Sequence, residues 1–425
     1  MNRTALLFSS ALAIQLYSFP CSAADWPQWR GPARDGVAVG AALPTKWPEQ
    51  LPTPKWRVAV GLGYSAPSIA GGQLFIMGRT DGNESCISLD AETGRELWRQ
   101  TYPSTFEPPD PTAGKGPNST PTVDRDRVYM LGLGGMFHCL DVKSGRVLWK
   151  HDFAKEYWGI EKDAMGEEAW RPPCGASASA LVDGKNVIVP VGGKKAGSFT
   201  AFDRETGLIE WMALSDRSSY ASPMPANLAG TKQIVGFTGK RMVGLDAASH
   251  KMLWEFPFTA MYEQTIITPV VWKDRVIVCG EAKPSTALEI TSEGGKIAQK
   301  EVWKNSDLSA YLVTPIVVKD HLIGFDQRSR RLICIDLATG KTTWTSERFG
   351  KLFVSLTLAG DQILALSDSG DLTVLAADTK AFKPLGKWKV AEPGAIWSQM
   401  AVVGSRLYIK EKEHLTCYEL NQRVG

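Results

Sequence analysis

Five histidines, His138, His151, His250, His321 and His414, are scattered through the 425 residues with no pair at metal-ligand spacing. A metal triad or a Ser-His-Asp relay needs imidazoles brought together with partners, and three of the five fall in or beside strand-like segments. Gly114-Lys115-Gly116 sets a cation between glycines but lacks the preceding strand, the glycine spacing and the following helix of a phosphate loop. Glu161, Asp163, Glu167 and Glu168 offer carboxylates of the kind that work in pairs on glycosidic bonds, and sequence alone does not select a pair. The remaining chemistry is that of aromatic rings. Tyr102, Phe106, Tyr157, Trp158, Trp170, Tyr220, Phe258, Tyr262, Tyr311, Phe353 and Trp397, with Lys115 and Arg171 among them, suit a surface that stacks on sugars or grips a partner protein.

What positions these rings is an internal repeat. Leu89-Asp90-Ala91-Glu92-Thr93-Gly94-Arg95-Glu96-Leu97-Trp98 returns as Leu140-Asp141-Val142-Lys143-Ser144-Gly145-Arg146-Val147-Leu148-Trp149. It returns again ending at Trp211 and Trp344, with weaker copies ending at Trp254, Trp303 and Trp388. Each copy reads as a β-hairpin: an apolar strand reaches an Asp whose carboxylate bonds turn amides, Gly takes a positive φ, and a second strand carries the Trp. A further hairpin lies upstream of each, as in Thr120-Pro121-Thr122-Val123 followed by Arg127-Val128-Tyr129-Met130, so four short strands form one unit.

The anchors Trp56, Trp98, Trp149, Trp211, Trp254, Trp303, Trp344 and Trp388 are 42, 51, 62, 43, 49, 41 and 44 residues apart. Eight anchors imply eight blades. The first anchor has no strands before it, and three strands after Trp388 lack a fourth, so the N-terminal strand completes the last blade and removes an open sheet edge. The fold expected is all-β, an eight-bladed propeller in a single domain over residues 25–425.

The Asp-x-x-Thr-Gly-x-x-x-Trp pattern resembles the tryptophan-docking motif of the PQQ-repeat (quinoprotein alcohol dehydrogenase-like) β-propellers, over nearly all of the mature chain. That motif opens with a small residue two before the Asp, here Ser88, Cys139, Ala201, Gly244 and Cys334, so the resemblance makes the cysteines packing residues and the Trp rings structural anchors. Position argues the same way, because equivalent points on neighbouring blades stand about 10 Å apart, too far for a disulfide.

Outer-to-inner connections all leave on one face, and the two longest intervals enlarge its loops, 99–118 and 150–175. That aromatic-rich face is the expected binding surface, although its rings also suit packing the loops onto the propeller. Hydroxyl residues that open the inner strands, Ser65, Ser119, Thr120, Ser222, Thr268 and Thr314, should ring the upper channel, where they suit either a polar ligand or a crowded axis. Asp25-Trp26-Pro27-Gln28-Trp29-Arg30-Gly31-Pro32 is expected to lie against the barrel wall and anchor an extended N-terminus.

A net charge of +3 without a basic block supplies no footprint for nucleic acid. Met1-Asn2-Arg3, an apolar stretch from Ala5 to Tyr17 and Ser22-Ala23-Ala24 read as a signal peptide cut near Ala24, giving a periplasmic or secreted protein. Cys21 follows Ser18-Phe19-Pro20, a poor approach for lipidation, and no stretch reaches the roughly 20 apolar residues of a membrane span.

Three functions follow. Similarity to the propeller subunit of the outer-membrane β-barrel assembly machinery implies a monomeric, non-catalytic scaffold that holds a protein partner or cell-envelope component on its loop face, with no cofactor. Resemblance to the dehydrogenases implies pyrroloquinoline quinone (PQQ) with Ca²⁺, but the vicinal Cys-Cys pair of many members is missing, and repeat resemblance does not carry chemistry with it. The loop aromatics leave a carbohydrate-binding or degrading propeller as the third.

Overall fold

A computed structural model describes residues 25–108, 114–158, 172–193, 195, 197–260 and 264–421. The expected signal segment 1–24, with Cys21, lies outside them. Eight four-stranded antiparallel sheets form the ring, each running from an inner to an outer strand in sequence order, with one exception. The last sheet combines Ala401–Val403, Arg406–Lys410 and His414–Glu419 with the N-terminal strand Trp56–Ala59, which pairs Trp56 with Cys417 and Ala59 with His414. The ring is therefore closed as expected, with blade one over residues 68–103 and blade eight shared by both ends of the chain.

Burial follows from each strand's place in its blade. Arg127–Leu131, second from the axis in blade two, is buried at every position because sheets cover both of its faces. The outer strand Glu96–Pro103 alternates toward exposure because one face meets water. The core lies between blades, where Phe75, Met77 and Cys86 of blade one meet Val128, Met130 and Leu140 of blade two. Cys86, Cys139, Cys279, Cys334 and Cys417 are buried free thiols, Cys174 is a half-buried one, and burial pushes the Cys86 thiol up to about 12. No helix among the described residues is long and apolar enough to cross a membrane.

The repeat's turn forms as its residues require. Asp90 Oδ1 accepts hydrogen bonds from the Glu92 and Thr93 amides and the Thr93 hydroxyl, and Asp203 does the same with Glu205 and Thr206. These bonds, led by the hydroxyl of Thr93, lower the Asp90 pKa. Chain reversal leaves Gly94, Gly145, Gly207 and Gly340 at φ between +70° and +73°, a region costly for any residue with a Cβ.

The indole of one blade rests on the turn of the next. Trp98 lies over Gly145 and donates Nε1–H to the Val142 carbonyl at 3.0 Å; Trp149 lies over Gly207 and donates to Arg204 O at 3.0 Å. Trp56 over Gly94 and Trp303 over Gly340 repeat the contact, donating to Ala91 O and Leu337 O. Trp344 donates to Asp378 O at 3.0 Å.

Three anchors depart, each for a local reason. Blade four has His250 at the glycine position, with φ +62°, and Trp211 stacks on its ring at 4.4 Å and 13°. In blade five the hairpin turns at Gly294-Gly295 beyond a long strand pair, without the Asp-x-x-Thr-Gly turn, and Trp254 folds back over its own blade's Gly244 to bond Gln233 Oε1 at 2.7 Å. Beyond Trp388 the two outer strands of blade eight come from opposite ends of the chain. There Pro48 O and Glu49 O supply the acceptors at 3.2 Å, and Trp47 packs against the ring at 5.1 Å, tilted by 39°.

A Cβ on Gly145 would stand 2.5 Å from the Trp98 ring, whereas one on Gly184, at a similar φ of +61°, meets nothing within 4 Å. Gly145→Ala is expected to destabilise by about 2–4 kcal/mol, from left-handed strain plus overpacking, and Gly184→Ala by about 1–2 kcal/mol from strain alone. Urea-unfolding midpoints of the two variants measure the difference, and equal losses would remove the indole contact from the explanation.

Candidate functional site

Each blade is entered through the segment just before its innermost strand, and all eight such segments meet at one cavity. Tyr64 precedes blade one, Asn118 blade two, Cys174 and Ser177 blade three, and Tyr220 and Ser222 blade four. Gln264 and Ile266 precede blade five, Tyr311 and Thr314 blade six, Phe353 blade seven, and Trp397 and Gln399 blade eight. Because every blade contributes from the same place in its repeat, the cavity sits on the ring axis at the loop face. Its volume is about 330 Å³.

Small hydroxyls knit the inner strands around it. Ser179 Oγ accepts from the Thr120 amide, Ser222 Oγ from the Ser179 amide, and Thr314 Oγ1 from the Thr268 amide, each reaching between adjacent blades. These contacts serve the crowded axis, while Ser222 and Thr314 also line the cavity.

The floor comes from the N-terminal segment, which enters the channel instead of lying along the wall. From the tight-turn face, Trp26 bridges Ile69 of blade one, and the Pro27 carbonyl accepts from Val123 of blade two. Trp29 reaches the cavity and donates Nε1–H to Thr268 Oγ1 at 2.8 Å. The chain then reverses through Arg30 and Gly31, both at positive φ, and runs back beside Leu358 of blade seven through Val37 and Ala38.

Two arginines fix this plug. Arg30 donates to the carbonyls of Thr314, Pro315 and Asp35, and Arg34 to those of Ser179 and Ala180 and to Gln28 Oε1. Their exposures are 2% and 1%. Burial pulls their pKa values down, to about 10 for Arg30, where Asp35 opposes the shift, and to about 9 for Arg34. A guanidinium can be buried here because its planar fork meets several inner-strand carbonyls at once. The channel is thereby blocked from the tight-turn side, and the cavity opens to the loop face.

The described walls are aromatic and polar, and none of their residues is charged. Tyr64 stacks on Trp397 at 5.7 Å and 29°, and Phe353 lies parallel to Trp397 at 6.5 Å and 9°. Tyr311 donates its hydroxyl proton to Gln264 Oε1 at 2.6 Å, and the Tyr220 hydroxyl accepts the Cys174 amide at 3.1 Å. A tricarboxylate quinone with Ca²⁺ needs cations for its carboxylates and oxyanions for the metal. The described lining holds no Arg, Lys, Asp or Glu, and the described residues contain no group of three His, Cys, Asp or Glu placed to hold a metal. These residues do not fit that cofactor.

Of the rings proposed from sequence, Tyr220, Tyr311, Phe353 and Trp397 line the cavity. Tyr102 and Trp158 are buried instead of facing out from the loops: Tyr102 has its hydroxyl on Glu84, and Trp158 has Nε1 on the Val191 carbonyl at 2.8 Å. Phe106 packs by Gly134, Tyr157 packs on Phe153, and exposed Lys115 pairs with Glu107. Phe258 is core, packed on Phe237. Trp170, Arg171 and Tyr262 lie outside the described residues, as do Glu161, Asp163, Glu167 and Glu168. Sequence reading missed Tyr64, Asn118, Gln264, Gln327 and Gln399 as lining, and Trp29 as the floor. The first three and Gln399 carried a usable signal, their place just ahead of an inner strand.

A family model described as outer membrane protein assembly factor BamB matches residues 50–163 and 118–346. The protein of that name from Shewanella oneidensis is 22% identical over 371 residues, covering 85% of this chain and 75% of the relative. Among solved structures, BamB from Moraxella catarrhalis superposes with a TM-score of 0.58 at 15% identity, covering 88% of this chain and 99% of that one. Quinohemoprotein alcohol dehydrogenase from Comamonas testosteroni gives 0.63 at 12% identity, covering 95% and 81%. At such identities the two structures share the fold with this chain, and the fold alone.

The Tyr102 site generates a pH dependence. His138 is buried against the Tyr102 ring at 4.8 Å, and burial, with the Lys150 charge adding, lowers its pKa to about 4. Between about pH 4 and pH 6.5 the unfolded chain therefore binds more protons than the folded one, and stability falls as pH falls through that window. His138→Phe, which keeps a ring but cannot titrate, should lose about 2–3 kcal/mol less than the parent on going from about pH 7 to pH 4.5. Urea unfolding at the two pH values measures this, and an unchanged difference would refute it.

Proposed function

The chain belongs to the outer membrane protein assembly factor BamB family, and on that premise we propose that it is a non-catalytic scaffold of the cell envelope whose loop-rich face holds a protein partner. The observation that carries this reading is the asymmetry of the ring. One face gathers the described parts of the loops that follow Trp98 and Trp149 and the mouth of an aromatic cavity; the opposite face consists, among the described residues, of tight turns and the returning N-terminal segment. Aromatic and amide groups that can contact a partner without a charge penalty concentrate on the loop side. The uncharged described lining supports holding over quinone chemistry. Residues 1–24 supply the export signal in this reading, and the partner belongs to outer-membrane protein assembly.

A photo-crosslinking residue at Lys115, on the loop face, is compared with one at Lys273, in a tight turn of the opposite face. Both side chains are exposed, so reactivity is matched. Crosslinking in intact envelopes should give a discrete adduct with an outer-membrane assembly component from position 115 and none from position 273. The same adducts from both positions, or none from 115, would overturn the assignment of the face.

A further inference from the structure

We propose that the axial cavity binds one neutral pyranose ring of a glycan, independently of any protein held on the loop face. Three observations select that chemistry. The described lining carries no charge, so an anion or cation seated there would be desolvated without a partner. The lining is nevertheless rich in amides, and two buried acceptors, Asn118 Oδ1 and Gln327 Oε1, have no hydrogen-bond partner. A hydrocarbon ligand would leave them unpaired at a cost of about 1–3 kcal/mol each. Hydroxyl groups would pair them. Gln264 Nε2, whose contact is the weak acceptor Cys174 Sγ at 3.9 Å, adds a donor to the same lining.

The third observation is the shape of the wall. Tyr64, Trp397 and Phe353 form one stacked row, with Phe353 and Trp397 only 9° from parallel. Rings packed in such a row make a continuous apolar wall for the C–H face of a sugar, while the sugar's edge presents hydroxyls to the amides. Trp29 closes the floor in an orientation set by its bond to Thr268, so little ordering remains to be done on binding. A volume of about 330 Å³ lies at the small end of ligand sites, which suits one sugar unit. The cavity shares Gln327, Leu352 and Trp397 with a neighbouring groove bordered by Arg328, Arg330 and Lys351, which gives the rest of a glycan a way out.

The test is calorimetry and tryptophan fluorescence on the mature chain with cello-, malto- and N-acetylchito-oligosaccharides of one to three units. Expected is saturable binding of at least one series with Kd below about 1 mM, tightening from one unit to two. Gln327→Met, close to isosteric but without the acceptor, and Trp397→Ala should each weaken it about tenfold or more, while Lys273→Ala leaves it unchanged. Far-UV circular dichroism checks that the variants fold, and Gln327→Met decides the matter if Trp397→Ala does not. No saturable signal up to about 10 mM in any series, or equal affinity in the parent and Gln327→Met, would overturn the proposal. Binding of an extended aromatic peptide without any saccharide binding would overturn it too, and would give the cavity to the protein partner instead.

Discussion

An indole laid on the next blade's turn is the contact on which this ring depends. It sets the spacing of neighbouring sheets, covers the positive-φ glycine, and satisfies its own N–H on the turn's carbonyl in one placement. Where the turn changes, the indole changes with it. His250 in place of glycine makes a ring stack, the long hairpin of blade five sends Trp254 back to Gln233, and the discontinuous last blade borrows Pro48 and Glu49. The last substitution is the functional one for closure, because the segment that bonds Trp388 leads directly into the strand that completes blade eight.

Eight blades leave an axis too wide for inner strands to fill, and the chain fills it with its own N-terminal segment. The two arginines do there what a metal or cofactor does elsewhere: they gather carbonyls from several blades around one centre. Arg30 reaches blade six and Arg34 blade three, so the plug spans the channel. Its tip is Trp29, and the result is a dead-ended aromatic cavity, without charge among its described lining residues, in place of an open pore.

The repeat made the propeller and its closing strand legible, because Asp, Gly and Trp recur at fixed offsets and each has a backbone reason to be there. The same arithmetic put Tyr220, Phe258, Tyr311, Phe353 and Trp397 among the loop-face rings; that all but Phe258 line the axial cavity is read from the structure, where they precede inner strands. Tyr102 and Trp158 were assigned to the surface because they follow anchor tryptophans. Tyr102 instead still belongs to an outer strand and turns inward to Glu84, and Trp158 ends a short helical turn that tucks beneath blade three's Val191. The plug was not legible: Asp25-Trp26-Pro27-Gln28-Trp29-Arg30 has no strand or helix period, and arginine is among the residues least expected in a core. Only the carbonyls exposed by converging inner strands explain its burial, and those exist once the ring has formed.

Amide hydrogen exchange across the N-terminal segment tests the plugged axis most directly. The amides of Trp26 and Ala38, bonded to Ile69 and Leu358, should exchange as slowly as those of the inner strands they join, and so should the Gly36 amide, bonded to Arg30 within the plug. Exchange at the rate of an unstructured tail would contradict the account, since the cavity would then have no floor and the ring an open channel.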